Sequence, residues 1–265
     1  MYSSFQLAKK FIDYYFKAKN GKGHGIHSPF VFDFVKNVLN DKKKYDCYKI
    51  IEPLRKQLLN NHTLIPVEDF GAGSAVIPFK NRKVSAIAAS SLKKKKFSQL
   101  LFRMVKYYKP ETIVELGTSF GITASYLACA NAGSQVYTLE GSKAIGEIAV
   151  SGFKKLSLEN IDFIQGNFDR TVPEVLNKIK SIDFLFVDGN HRRNATLDYF
   201  TESLKKANSS SIFIFDDIHW SIEMEDAWQQ IKAHASVILT IDLFFIGLVF
   251  FSTDFKIKQD FVIRF

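Results

Sequence analysis

Between Thr112 and Cys129 the chain passes from an apolar strand through a glycine turn into the start of a helix. Ile113-Val114 leads to Glu115. Gly117 and Gly121 bracket the turn, and Ile122-Thr123-Ala124-Ser125 is a run of small residues suited to a helix start. A second strand, Val136 to Glu140, ends on another acid about 20 residues after the turn, the spacing of a dinucleotide-type βαβ unit. Glycines let backbone N–H groups approach a ligand closely, and a carboxylate at the end of the second strand can accept from two ribose hydroxyls. The pattern predicts an α/β fold with a parallel sheet and a site for a nucleoside-bearing cofactor.

The rest of the chain extends that pattern. Strands are expected at Thr112–Glu115, Gln135–Glu140, Ile161–Gln165, Ile182–Asp188 and Ser211–Asp216, with helical segments between them. The near-continuous apolar runs FLFVD and SIFIFDD suit parallel strands buried on both faces. Val237–Phe244 and Phe245–Ser252 are joined too tightly for a crossover helix and must pair antiparallel. Before Pro110 the pattern is mainly helical. Phe5, Ala8, Phe11, Ile12, Tyr15 and Phe16 recur at helical spacing, and the glycines from Gly21 to Gly25 break that helix. Ser28 precedes Pro29 as a cap precedes a first-turn proline, and Phe30, Val31, Phe34, Val35, Val38 and Leu39 follow. Further helices are expected at Ile51–Asn60 and Phe97–Tyr108. The division implied is a helical region, 1–109, and a cofactor-binding domain, 110–265.

Bulk properties exclude several classes. No run of 18 apolar residues is present, so no spanning helix is expected. The lysine-rich start lacks the apolar core and small-residue cleavage site of a signal peptide. Cys47 and Cys129 read as reduced thiols of a cytoplasmic protein rather than as a disulfide framework. The net charge of +9 is densest around Lys93–Lys96 with Arg82, Lys83, Arg103 and Lys106. A solvated surface is the simpler reading, because no RNP-like, zinc-finger or basic-heptad motif accompanies the cluster.

A second acid–glycine stretch, Glu68 to Ser74, has no strand ending in an acid at the required distance. The next strand-like piece is Lys83–Ala89, which closes in serines. A tight turn is the simpler reading there. His24 and His27 flank Gly25 without an acid or cysteine partner, so a structural loop is favoured over a metal site.

Taken in order, VELGTSFGIT, VYTLE, VDGNH and FDDIHW resemble the class I S-adenosylmethionine-dependent methyltransferases. The likeness is greatest to the catechol, caffeoyl-CoA and macrocin-type O-methyltransferases, and it runs from about Glu111 to Ser252. It implies a Rossmann-like sheet closing with the antiparallel hairpin. It implies that Glu115, Gly117, Ser119 and Gly121 lie under the methionine part of the cofactor, with Thr123 near its carboxylate. Glu140 would hold the ribose hydroxyls, and Asn167 and Phe168 fall where the family contacts adenine. Many such relatives are homodimers.

Three acids stand at strand ends: Asp188, Asp216 and Asp217. Ligands of parallel α/β sheets bind beyond those ends, and hard oxygen donors there suit magnesium or another divalent cation. Catechol-type enzymes carry Asp, Asp and Asn at the matching places, whereas Asp217 makes this chain closer to the macrocin type. Asp188 also counts among the residues near the cofactor. His191 stands where the catechol-type enzymes have a lysine base, and histidine can do that work near neutral pH. Arg192 and Arg193 follow it, and His219 and Trp220 follow the acidic pair as candidate pocket walls. The expected function is methyl transfer from S-adenosylmethionine to an oxygen of a small molecule. The alternatives are methylation of RNA or protein, a non-catalytic cofactor-binding scaffold, and aminopropyl transfer. No Asn/Asp-Pro-Pro-Tyr/Phe stretch marks a base amino-methyltransferase.

Overall fold

The computed structural model describes residues 1–69, 77–252, 255 and 257–265. Phe70–Ser74 of the second glycine stretch fall outside the described residues. The chain divides into two compact units, one made of Met1–Asp41 with Lys180–Phe265 and the other of Lys42–Ile179.

The chain opens with α1 (Ser4–Lys17), where Ser3 and Gln6 form a reciprocal capping box. The apolar spacing predicted this helix but not the face it buries. Phe5 and Phe16 are largely exposed, as are Ile12 and Tyr15 to a lesser degree. The packed stripe is instead Leu7, Phe11, Tyr14 and Ala18, which meets Phe244, Phe245 and Val262 of the same unit. The Tyr14 hydroxyl donates to the Ile263 carbonyl. After the glycine break come α2 (Pro29–Phe34) and a π-helical turn, Val35–Leu39, burying Val31, Phe34, Val35, Val38 and Leu39. Pro29 takes the first turn as expected, but the Ser28 side chain makes no capping bond.

The second unit begins with α3 (Asp46–Leu59), which starts earlier than expected. The antiparallel pair β1 (Leu64–Asp69) and β2 (Ile77–Lys83) follows, so the stretch before Pro110 is not wholly helical. The strand-like Lys83–Ala89 is in fact α4 (Val84–Ser91). Alanine's high helix propensity and burial of Val84, Ile87 and Ala88 on one face override the β-branched residues. Next is α5 (Lys95–Tyr108), ended by Lys109 in the left-handed conformation before Pro110. The alternating part runs β3 (Thr112–Leu116), α6 (Ile122–Ala130), β4 (Gln135–Glu140), α7 (Lys143–Lys155), β5 (Ile161–Gln165) and α8 (Phe168–Lys178). Strand β4 pairs in parallel with β3 on one side and β5 on the other.

Back in the first unit lie β6 (Ile182–Val187), α9 (Arg193–Leu204), β7 (Ala207–Asp216), α10 (Ile222–Ala233), β8 (Leu239–Asp242) and β9 (Ile246–Phe250). Strands β6 and β7 are parallel, while β9 runs antiparallel to both β7 and β8. The sheet is mostly parallel and ends in the antiparallel hairpin that the sequence predicted. A further short strand, β10 (Gln259–Val262), pairs in parallel with β8. Its four residues are too few to carry a period.

Candidate functional site

The glycine turn and both acids lie in the unit Lys42–Ile179. Parallel pairing sets Glu115 of β3 beside Thr138 of β4. Glu115 is fully buried, and its Oε2 accepts from the Thr138 hydroxyl at 2.6 Å. Its Oε1 has no hydrogen-bond partner among the described residues. Burial pushes this carboxyl up to about 8; the Thr138 bond opposes that shift and the nearby Glu140 charge adds to it. The Thr138 hydroxyl also meets that of Thr118, at 2.6 Å.

The turn is held open by backbone conformation. Gly117 (φ 105°), Ser119 (φ 47°) and Gly121 (φ 76°) all have positive φ. The Gly117 and Thr118 amides both donate to the Leu139 carbonyl at 3.0 Å, which fastens the turn to the end of β4. Gly121 must be glycine on a second ground: a Cβ there would meet the Phe153 ring at 2.5 Å. It is the N-cap of α6 and offers no side chain to the first helical amides, so that positive helix end faces the turn uncapped. Thr123 is buried in the first turn of α6.

Glu140 closes the arrangement at the end of β4. Its Oε2 accepts from the Ser119 amide and its Oε1 from the Ser142 amide, each at 2.9 Å. Burial nevertheless raises its pKa, against those backbone bonds. Each carboxylate oxygen retains a lone pair for a further donor. The Gly166 amide donates to the Glu140 carbonyl at 2.9 Å, bringing the end of β5 alongside. Asn167 is the N-cap of α8 and accepts from the Asp169 amide at 3.0 Å, so its side chain has a structural duty; Phe168 follows it, half-buried.

The second group lies in the other unit. Asp188, His191 and Asp216 each present a ligand atom within 4.8 Å of the others. The His191 Nε2 is 3.7 Å from Asp188 Oδ1, and both side chains are partly exposed. Asp216 is buried at the end of β7. Asp217 does not join this group among the described residues. Its backbone has a positive φ of 53°, its amide donates to the Phe245 carbonyl at 2.7 Å and its carbonyl accepts from the Trp220 amide at 2.9 Å. The donor set brought together among the described residues is two carboxylates and an imidazole.

Other sequence candidates serve structure. His219 bridges Asp242, at 2.8 Å from Nε2, and Glu225, at 3.0 Å from Nδ1, and its ring stacks on Phe244. Glu225 also accepts from Lys10 and Tyr2 of the N-terminal segment. Arg193 pairs with Asp226 on the surface. His24 and His27 are exposed and join no metal-type cluster among the described residues.

A family model described as a methyltransferase domain matches residues 114–218. The matched stretch, 114–218, thus resembles a methyltransferase domain. The fold agrees. An O-methyltransferase from Bacillus cereus solved with S-adenosylhomocysteine superposes with a TM-score of 0.57 at 19% identity, covering 83% of this chain and 97% of that one. A methyltransferase from Podospora anserina, also bound to S-adenosylhomocysteine, gives a TM-score of 0.60 at 12% identity, covering 95% and 98%. Among curated proteins, a tRNA (guanine-N(7)-)-methyltransferase from Mycoplasma mobile is 29% identical over 103 residues, 37% of this chain and 51% of that protein. The chain thus spans about half the length of that relative.

Around the glycine turn, sequence reasoning missed Thr118, Thr138 and Ser91. The Ser91 hydroxyl bonds that of Ser119 at 2.8 Å and ties α4 to the turn. The threonines look like ordinary strand and turn residues. Only the register that sets Glu115 beside Thr138 gives them a role. No helix of the described residues is long and apolar enough to cross a membrane.

Proposed function

We propose that this methyltransferase domain uses S-adenosylmethionine to methylate an oxygen of a small molecule, with a divalent cation assisting. The observation that carries the reading is the ordered assembly around the turn. Glu140 is tied by both oxygens to flanking amides, Glu115 keeps a buried acceptor, and the α6 end lies uncapped between them. That set fits the cofactor: two hydroxyls for Glu140, an ammonium for Glu115, and a carboxylate for the amides of α6 near Thr123. The loop residues Gly117, Ser119 and Gly121 admit the ligand closely, and Asn167 and Phe168 border its base. Bound S-adenosylmethionine supplies the methyl group on a sulfonium.

In this reading the chain's own residues orient the acceptor and take its proton. Asp188 and Asp216 would hold the cation, which supplies positive charge beside a substrate oxygen. His191, oriented by Asp188, takes the proton of the attacking hydroxyl. Because His191 stands within the same cluster, its second reading is as a third ligand. The two roles separate by experiment. If His191→Gln abolishes methyl transfer but leaves magnesium affinity within about twofold of wild type, His191 is the base; if magnesium affinity falls by about tenfold or more, it is a ligand.

The test is transfer of labelled methyl from S-adenosylmethionine to catechols, phenols and sugar diols, with bulk tRNA alongside. Labelled small-molecule ether supports the proposal. Label entering tRNA alone would replace it with the reading suggested by the tRNA-modifying relative and the net charge of +9.

A further inference from the structure

Helix α1 carries two apolar stripes, and the fold uses one of them. At about 100° per residue, Leu7, Phe11, Tyr14 and Ala18 fall in one narrow arc, which packs on Phe244, Phe245 and Val262. Phe5, Ala8, Ile12, Tyr15 and Phe16 fall in a second arc, about a third of a turn away. That arc faces solvent: Phe5 is 80% exposed, Phe16 76%, Ile12 54% and Tyr15 48%. The Tyr15 and Phe16 rings meet edge-on with centroids 6.1 Å apart. Single exposed apolar residues need no explanation, but a continuous row on one helix face marks an interaction surface.

The roll of the helix is fixed within its own unit. The Tyr2 amide donates to the Trp220 carbonyl at 3.1 Å. The Tyr2 hydroxyl and the Lys10 ammonium both donate to Glu225, at 2.7 and 2.9 Å. At the far end the Tyr14 hydroxyl donates to the Ile263 carbonyl. The outer stripe is therefore displayed from a firm base and cannot turn inward without breaking these bonds.

The charges around the stripe are almost all of one sign. Lys9 borders it, Lys17 stands on the polar arc and Lys19 lies just past the helix end, all three exposed. The Arg264 guanidinium sits 4.5 Å over the Tyr15 ring at the other border. Up to Phe32 the sequence holds one acid, Asp13. A two-fold pairing of this face with its own copy would set that positive rim against itself. A lipid surface with anionic headgroups complements it, and the boundary below the headgroups takes the phenylalanines. Fourteen residues are too few to span a bilayer core, so such a helix lies in the plane of the surface.

We propose that the outer face of α1 docks this protein on anionic lipid membranes. Phe5, Ile12, Tyr15 and Phe16 seat between headgroups and acyl chains, and Lys9, Lys17 and Arg264 meet the anionic headgroups. Docking does not depend on which acceptor is methylated.

The test is flotation of the full chain with vesicles of phosphatidylglycerol and phosphatidylcholine in equal parts, with pure phosphatidylcholine vesicles alongside. The chain is expected to float with the anionic vesicles, at least about tenfold less with the neutral ones, and to be released as salt rises. Phe5→Ser with Phe16→Ser is expected to lower partitioning by about tenfold or more and to leave the thermal melt in place, since both side chains are exposed in the free protein. Lys9→Glu with Lys17→Glu keeps the apolar stripe and is expected to lower partitioning by about tenfold at low salt. No flotation of the wild type, equal flotation with neutral vesicles, or flotation unchanged in either double variant would overturn the proposal. So would a wild-type dimer in sedimentation that fails to bind vesicles and becomes monomeric in Phe5→Ser with Phe16→Ser, which would assign the face to a second copy of the chain.

Discussion

At Glu115 a carboxyl with no access to water depends on one hydroxyl, from Thr138. Its folded pKa, raised to about 8 from 4.5, means the ligand-free fold favours the protonated form where the unfolded chain would ionise it, while an ammonium beside it would favour the carboxylate. The cost to stability therefore begins as pH rises above the unfolded value and is complete above the folded one. Glu115→Gln should remove it. Relative to wild type the variant should gain little at about pH 4 and on the order of 5 kcal/mol above about pH 8, read by urea melts; a difference independent of pH would contradict the assignment. His219 works in the opposite sense. Burial pulls its pKa down, but the bonds and charges of Asp242 and Glu225 prevail and raise it above 6.5. Its contribution is fully present below that value and is lost as pH rises through the folded pKa. His219→Gln should cost roughly 3 kcal/mol in acid and progressively less in alkali, as thermal melts across that range would record. Glu115 and Glu140 were legible in the sequence because each ends an apolar strand before a glycine or serine turn. Thr138 was not, since a threonine inside a strand is also what a strand prefers.

Among the elements, the junction of β3 and α6 is the most tightly specified. Gly121→Ala would put a Cβ within 2.5 Å of Phe153 on a backbone at φ 76°. We expect a loss of about 2–3 kcal/mol in a denaturant melt and a matching loss of cofactor affinity; a variant as stable as wild type would show that Phe153 yields freely. The strands of this junction were legible to within a residue, because buried parallel strands leave unbroken apolar runs. Helix α1 was legible as a helix but not in its orientation. Its apolar residues circle much of the helix, and only tertiary contact selects the Leu7–Phe11–Tyr14–Ala18 stripe. Helix α4 was misread because a short apolar segment fits both periods, and β10 was missed because four residues carry neither. The acidic site shows the same limit: Asp188 and Asp216 were read from strand ends, but the positive φ of Asp217 just after them is not announced by the sequence.

For the whole molecule, the residues that match a methyltransferase domain, 114–218, hold the glycine turn and the acids at the strand ends, and the closing hairpin follows them. Within the densest cluster of the +9 charge, Arg103 is buried while Lys94, Lys95 and Lys96 are exposed. Magnesium should act at the Asp188 cluster. Its binding heat should disappear in Asp188→Asn, while a heat that survives would move the cation elsewhere. The most direct test of the central claim is calorimetric titration with S-adenosylhomocysteine on the wild type and on Glu140→Ala. The account predicts a dissociation constant on the order of micromolar for the wild type and a loss of about tenfold or more in the variant. No binding by the wild type, or equal binding by Glu140→Ala, would contradict it.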